Sequence, residues 1–142
     1  MYKKQITYTD FDGNERTETF YFNLSKSEVV TMEMSTPGGM RQKLLDIVES
    51  KDGKAIIDTF KEFISMSYGE KSPDGRRFIK SKELSDAFEQ TGAYDQLFLE
   101  LLTDADAGAE FVNGIFPKDV AEQVAKMSED EKRRLLDIKA VE

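Results

Sequence analysis

The chain has 142 residues, neither cysteine nor histidine, and 20 basic residues against 28 acidic ones, a net charge of -8. Thiolate and imidazole catalysis, Cys/His zinc sites and a disulfide framework are excluded, and the acidic balance argues against nucleic acid, whose phosphates demand a basic surplus. Ten phenylalanines and a 39% hydrophobic share are enough to build a core, yet no apolar run nears the ~20 residues of a membrane span.

The start, Met1-Tyr2-Lys3-Lys4-Gln5, leads into alternating residues, so no secretory signal and no membrane partner is expected. Residues 2–22 predict a β-hairpin. Ile6, Tyr8, Thr17, Thr19 and Tyr21 carry the β-branched and aromatic bias of strands, and Asp12-Gly13 supplies the turn. Alternation places Phe20 and Phe22 on one face and Thr19 and Tyr21 on the other. A lone hairpin is marginal, so the Phe face is expected to lie on the helices that follow. Ser25 and Glu28 have capping-box spacing for a short helix over 25–34, with Leu24 placed as a hydrophobic staple. Thr36-Pro37-Gly38-Gly39 interrupts it, and Met40, Leu44, Ile47 and Val48 then recur at helical spacing. Asp52 caps the next helix, whose Ile56, Ile57, Phe60, Phe63 and Ile64 form the clearest amphipathic stripe.

Gly69 is placed to end that helix in a left-handed conformation. Ser72-Pro73-Asp74-Gly75 reads as a tight turn in a small central hairpin or structured loop. Ser81 caps a helix with Leu84, Ala87 and Phe88 inward. The helix after Gly92 carries Tyr94, Leu97, Phe98, Leu101 and Leu102. Asp104 caps another, with Phe111, Val112, Ile115 and Phe116 as its apolar face. The stripe thins from Pro117 onward. The expectation is a single globular domain over 1–116 and a helical or partly disordered tail over 117–142. The fold class is α+β and mainly helical, with an N-terminal β-hairpin, a bundle of about five or six short helices and a small central β-hairpin.

Charge is unevenly placed. Residues 81–116 hold one basic residue, Lys82, against Glu83, Asp86, Glu89, Asp95, Glu100, Asp104, Asp106 and Glu110. These acids read as a solvated face over a Phe/Leu core, or as an acidic docking face that sets association rate and specificity. Residues 69–80 are locally basic through Lys71, Arg76, Arg77 and Lys80. Chemistry would have to come from carboxylates, a serine–lysine pair or an oxygen-ligand metal. Asp10-x-Asp12-x-Asn14 begins like a calcium loop, but its sixth position is Glu15 and its twelfth Tyr21, where glycine and glutamate are needed. Asp104 and Asp106 are explained by helix capping, and the adjacency of Ser81 and Lys82 makes no dyad. Gly38-Gly39 lacks the Lys-Ser/Thr of a phosphate loop. No catalytic residue, metal site or cofactor is expected.

Several ordered stretches together resemble one family. They are Tyr8-Thr9-Asp10-Phe11-Asp12-Gly13-Asn14-Glu15, Phe20-Tyr21-Phe22-Asn23-Leu24-Ser25, the run from Tyr68 to Ser81, Phe88-Glu89-Gln90-Thr91-Gly92-Ala93-Tyr94, and Phe111-Val112-Asn113-Gly114-Ile115-Phe116-Pro117-Lys118. Their series resembles the tail assembly chaperones of phages with long non-contractile tails, in the branch found in Gram-positive hosts. The resemblance implies a non-enzymatic protein of the host cytoplasm, absent from the mature virion. It would coat the tape measure protein, help recruit the major tail protein, and be the shorter of two products where the gene is frameshifted.

A chaperone for a long helical client needs apolar surface ringed by charge that prevents its own aggregation. Phe98, Leu101, Leu102, Phe111, Ile115 and Phe116 are the candidate partner contacts, each with an ordinary core role as the alternative. Self-association stays open, since many copies would be needed to cover a long client. The rival readings are a structural head–tail connector or tail terminator component, and an acidic regulator that blocks a basic host protein. A carboxylate-metal hydrolase is disfavoured by the missing histidine and ligand cluster.

Overall fold

Alternating side chains and a short turn over residues 10–14 dictate the first two elements. β1 (Tyr2–Thr9) and β2 (Glu15–Phe22) run antiparallel in unbroken register from Tyr2↔Phe22 to Thr9↔Glu15. Asp10 locks the turn. Its Oδ1 accepts from the backbone N–H of Asp12 (3.0 Å) and Asn14 (2.9 Å), and its Oδ2 accepts from Arg16 Nε (2.7 Å). Gly13 lies at φ +86°, where L side chains are strained. Both Asp10 oxygens are spent on the hairpin, which accounts for the calcium-like spacing without a cation. The computed structural model describes residues 1–117 apart from 41, 42, 44, 45, 48 and 49, so that of the tail expected over 117–142 all but Pro117 lies outside the described residues.

The helices begin where the caps predict. At the start of α1 (Lys26–Ser35) both arms of the capping box form: Glu28 N donates to Ser25 Oγ at 3.2 Å and Ser25 N to Glu28 Oε1 at 3.0 Å. Met40, Lys43, Asp46, Ile47 and Ser50 are helical, while positions 44 and 48 of the expected stripe lie outside the described residues. α2 (Gly53–Ser67) starts at Asp52, whose Oδ1 accepts from Lys54 N (3.1 Å) and Ala55 N (3.2 Å).

The end of α2 departs from expectation. The helix stops at Ser67 and the chain enters β3 (Tyr68–Lys71) directly, so Gly69 is a strand residue and not a left-handed cap. Its bareness serves close approach: a Cβ there would lie 2.7 Å from the Ile79 carbonyl oxygen and 2.7 Å from the Phe78 ring. β3 pairs with β4 (Phe78–Ile79) through Glu70↔Ile79 and Lys71↔Phe78. Ser72 and Asp74 organise the connecting loop. Ser72 N donates to the Arg77 carbonyl (2.9 Å), Ser72 Oγ donates to Asp74 Oδ1 (2.6 Å), and Arg76 N donates to the same carboxylate oxygen (3.1 Å). Helices α3 (Lys82–Glu89), α4 (Gly92–Thr103) and α5 (Ala105–Ile115) follow. The result is the expected α+β, mainly helical architecture.

Tyr21↔Gly69 and Phe22↔Tyr68 join the two hairpins into one antiparallel four-stranded sheet of order β1-β2-β3-β4. The chain falls into two compact units, Met1–Leu24 with Ile57–Ile115, and Ser25–Ile56 with Phe116 and Pro117. In the first unit the Phe20/Phe22 face meets an aromatic cluster. Phe22 lies 5.7 Å, ring to ring, from each of Tyr68, Phe88 and Phe111, and Tyr68 stacks on Phe88 at 4.4 Å. Such pairs add about 0.5–1.5 kcal/mol each beyond their buried area. Gly114 admits Tyr2 to this core, since a Cβ there would lie 2.7 Å from the Tyr2 ring. In the second unit Glu33 Oε2 accepts from Met40 N at 2.9 Å and ties the end of α1 to the helical residues that follow.

Candidate partner-binding surface

The acidic segment is carried by three capped helices. Ser81 Oγ accepts from Leu84 N (3.1 Å), Thr91 Oγ1 from Tyr94 N (3.3 Å), and Asp104 Oδ1 from Asp106 N (3.0 Å) and Ala107 N (3.2 Å). These bonds give Ser81 and Asp104 capping roles, and they show Thr91 as a cap that the reading of Gly92 passed over. Gly92 brings α4 against the end of β1, where a Cβ would meet the Thr9 carbonyl oxygen at 3.1 Å. Gly108 does the same for α5, with the Leu101 carbonyl 3.1 Å and the Phe60 ring 3.3 Å from a Cβ there. Ala87, expected inward, is exposed on the solvent side of α3.

The inner face of α4 is Ala93, Tyr94, Leu97 and Leu101, all buried. Phe111 and Ile115 of α5 are fully buried as well, so three of the six candidate contacts, Leu101, Phe111 and Ile115, are core residues. Phe98 and Leu102 lie half-buried at the edge of α4. Phe116 is half-buried in the second unit. One face of Phe98 is covered by Tyr94, stacked at 5.8 Å, and Lys61 Nζ sits 5.8 Å from its ring centroid. Between Phe98 and Leu102 stands Leu99, 57% exposed and unanticipated. Positions 95, 98, 99, 102 and 103 share one helical face. The structure therefore brings Phe98, Leu99 and Leu102 into a single apolar strip flanked by Asp95 and Thr103.

Acidic groups dominate this segment, with Lys61 beside Phe98 as a cation at the strip. Lys4 Nζ bonds Glu100 Oε1 at 2.8 Å and Lys82 Nζ bonds Asp86 Oδ2 at 3.1 Å. The hydrogen bond to Glu100 raises the Lys4 pKa. Burial raises the Tyr94 phenol, with Glu89 and Asp95 adding to the shift. Glu83, Glu89, Asp95, Asp106 and Glu110 have no ion pair among the described residues. Such a border keeps an exposed apolar strip soluble and disfavours an equally acidic partner. In the second unit an open pocket of ≈ 480 Å³ is lined by Ser35, Thr36, Pro37, Lys43, Asp46, Ile47 and Ser50. Among the described residues no group of three or more His, Cys, Asp or Glu could hold a metal ion.

A second missed residue lies far from α4 in the sequence. Phe11, in the turn between β1 and β2, is 90% exposed and touches no other ring among the described residues. The signal was present in both cases: Leu99 is an apolar residue off the Tyr94/Leu97/Leu101 stripe, and Phe11 is an aromatic residue in a turn otherwise built of Asp, Gly and Asn.

No curated protein and no solved structure is significantly similar to the chain. The family model for the phage tail assembly chaperone, by contrast, matches residues 1–140, nearly the whole sequence, hairpins and acidic helices included. This protein therefore belongs to the phage tail assembly chaperone family.

Proposed function

We propose that the chain is a non-catalytic chaperone that binds the tape measure protein in the host cytoplasm and helps recruit the major tail protein. In this reading it stays out of the finished virion. The membership over residues 1–140 carries the proposal. The apolar strip of Phe98, Leu99 and Leu102 supports it, because a helical client with an unpartnered apolar stripe is matched by a helix face of the same kind. Phe98, Leu102 and Phe116 are the original candidates that keep accessible surface, and they are the ones assigned to client contact. Leu101, Phe111 and Ile115 shape the surface from beneath.

The energetics suit a reversible chaperone. Full burial of an aliphatic or aromatic side chain contributes about 1.5–3 kcal/mol, and these side chains start partly buried, so each strip contributes only a few kcal/mol. Association and side-chain ordering then consume part of that gain. One copy binds weakly, and several copies along a long client hold it by avidity.

The test is co-expression with the tape measure protein of the same phage. The proposal expects a soluble client that co-purifies with the chain, and loss of that solubility in the double variant Phe98→Ala/Leu102→Ser. A client that stays insoluble, beside a chain that alone forms a stable ring, would replace the chaperone with a structural connector or terminator.

A further inference from the structure

The hairpin tip carries the most exposed large apolar side chain of the described residues, and nothing in the fold accounts for it. Phe11 is 90% exposed. The backbone beneath it is nonetheless tied down by hydrogen bonds. Asp10 N donates to the Asn14 carbonyl (2.8 Å), Gly13 N donates to the Asp10 carbonyl (3.1 Å), and the Asp10 carboxylate takes three further donors from Asp12, Asn14 and Arg16. Lower on the hairpin, Thr7 and Thr17 share a hydroxyl hydrogen bond of 2.9 Å across the strands, and Tyr8 donates to the Glu18 carboxylate. The outer part of β2, Glu15–Thr19, is exposed throughout, because β3 pairs only with Tyr21 and Phe22. A phenyl ring is thus held in solvent by a hydrogen-bonded turn whose base, at Thr9, packs against the start of α4.

A bare ring in water is unfavourable, and a preorganised one loses little entropy on docking. From this we infer that Phe11 is an anchor that inserts into an apolar pocket on a folded protein partner, separate from the helical strip. A single protruding ring needs a concavity, which a folded subunit offers and one extended helix does not. The tip also states the charge of that pocket's rim. Asp12 and Glu15 flank Phe11 with no ion pair among the described residues, and Arg16 is already committed to Asp10. The rim is therefore basic, from Lys or Arg. The inference rests on the proposed function, and of its two partners the folded one, the major tail protein, is assigned to the tip.

Phe11→Ala is expected to leave the fold intact because the ring is 90% exposed and stacks on no other ring among the described residues, which makes the experiment clean. The full chain, as wild type, Phe11→Ala, Phe11→Trp and Phe98→Ala/Leu102→Ser, is titrated with the purified major tail protein of the same phage and co-expressed with its tape measure protein. Phe11→Ala is expected to weaken binding of the major tail protein by about tenfold or more, as truncation of an aromatic anchor does. Phe11→Trp keeps most of the affinity, and Phe11→Ala still solubilises the tape measure protein. The strip variant shows the opposite pattern. Binding of the major tail protein within twofold of wild type for Phe11→Ala overturns the anchor. So does a Phe11-dependent change in sedimentation of the chain alone, which would make a second copy the occupant. If wild type binds neither tail protein, the functional reading falls, and the anchor falls with it.

Discussion

The base and the tip of one hairpin set the same amino acid to opposite uses. Phe22, at the base, is 0% exposed and packs edge-on against Tyr68 and Phe111, whereas Phe11, at the tip, is 90% exposed. Phe22 sits in the antiparallel ladder and Phe11 in the hydrogen-bonded turn that closes it, so the backbone is well ordered at both. What separates them is whether helices and β3 cover that part of the sheet. At the base β3 and the aromatic cluster do, and the hairpin is a structural element. Beyond Tyr21 no strand of the first unit pairs with the outer edge of β2, and although Gly92 packs against Thr9 at the end of β1, the Phe11 ring in the turn stays in water. Apolar surface at the base stabilises the fold, while at the tip it is free to serve a partner.

The sharpest way to break the comparison is to hollow out the base. Phe22→Ala removes a ring with four aromatic neighbours, Tyr2, Tyr68, Phe88 and Phe111, and is expected to cost about 3–5 kcal/mol, read by chemical denaturation. A mild phenotype would mean that the cluster relaxes around the gap. Gly69→Val tests the junction of the two hairpins. Its side chain must displace the Ile79 carbonyl or the Phe78 ring, and a loss of about 1–3 kcal/mol with weakened amide protection in β4 is expected. The link from β1 to α4 is weaker. Lys4 and Glu100 side chains are 28% and 41% exposed, so Glu100→Gln is expected to cost no more than about 1 kcal/mol.

The tip has its own signature in pH. The Arg16 hydrogen bond, with the Asn14 and Asp12 amides, holds the Asp10 carboxyl below the usual carboxylate range, and Ser72 does the same for Asp74. With the folded pKa depressed, the unfolded chain takes up the proton first as pH falls. The stabilisation is therefore complete above the ordinary carboxylate range and fades as pH drops through the folded value. The Tm difference between wild type and Asp10→Asn should accordingly shrink toward strong acid. A gap that stays constant would assign the effect to turn geometry and not to charge. Smallest of all, Phe11→Ala is expected to leave stability within about 0.5 kcal/mol while affecting partner binding. A real loss of stability would show that the tip is covered.

Much of this architecture was legible because it is local. The Ser25/Glu28 box, the Asp52, Ser81 and Asp104 caps and the Asp12-Gly13 and Ser72–Gly75 turns satisfy backbone groups a few residues away, so spacing alone specifies them. Gly69 was misread because a glycine after a helix is ordinarily a cap. Only the passage of β4 across it shows that close approach is what it provides. The candidate site was half legible for a similar reason. Tyr94, Leu97, Phe98, Leu101 and Leu102 make a stripe wider than a single buried face, and its period cannot say which edge the sheet covers. Leu101 went inside, Phe98 and Leu102 stayed at the rim, and Leu99 emerged on the open side.

The sequence by itself determined the excluded chemistry, the two hairpins, the helix starts and the acidic bias of residues 81–116. All of these follow from composition or from neighbours within a turn or two. Only the tertiary structure decided that β2 and β3 pair across the intervening helices, which rings form the core, and which apolar side chains remain in water. Those outcomes depend on contacts between residues distant in the chain, where many pairings satisfy the same local pattern and the total burial of apolar surface selects among them.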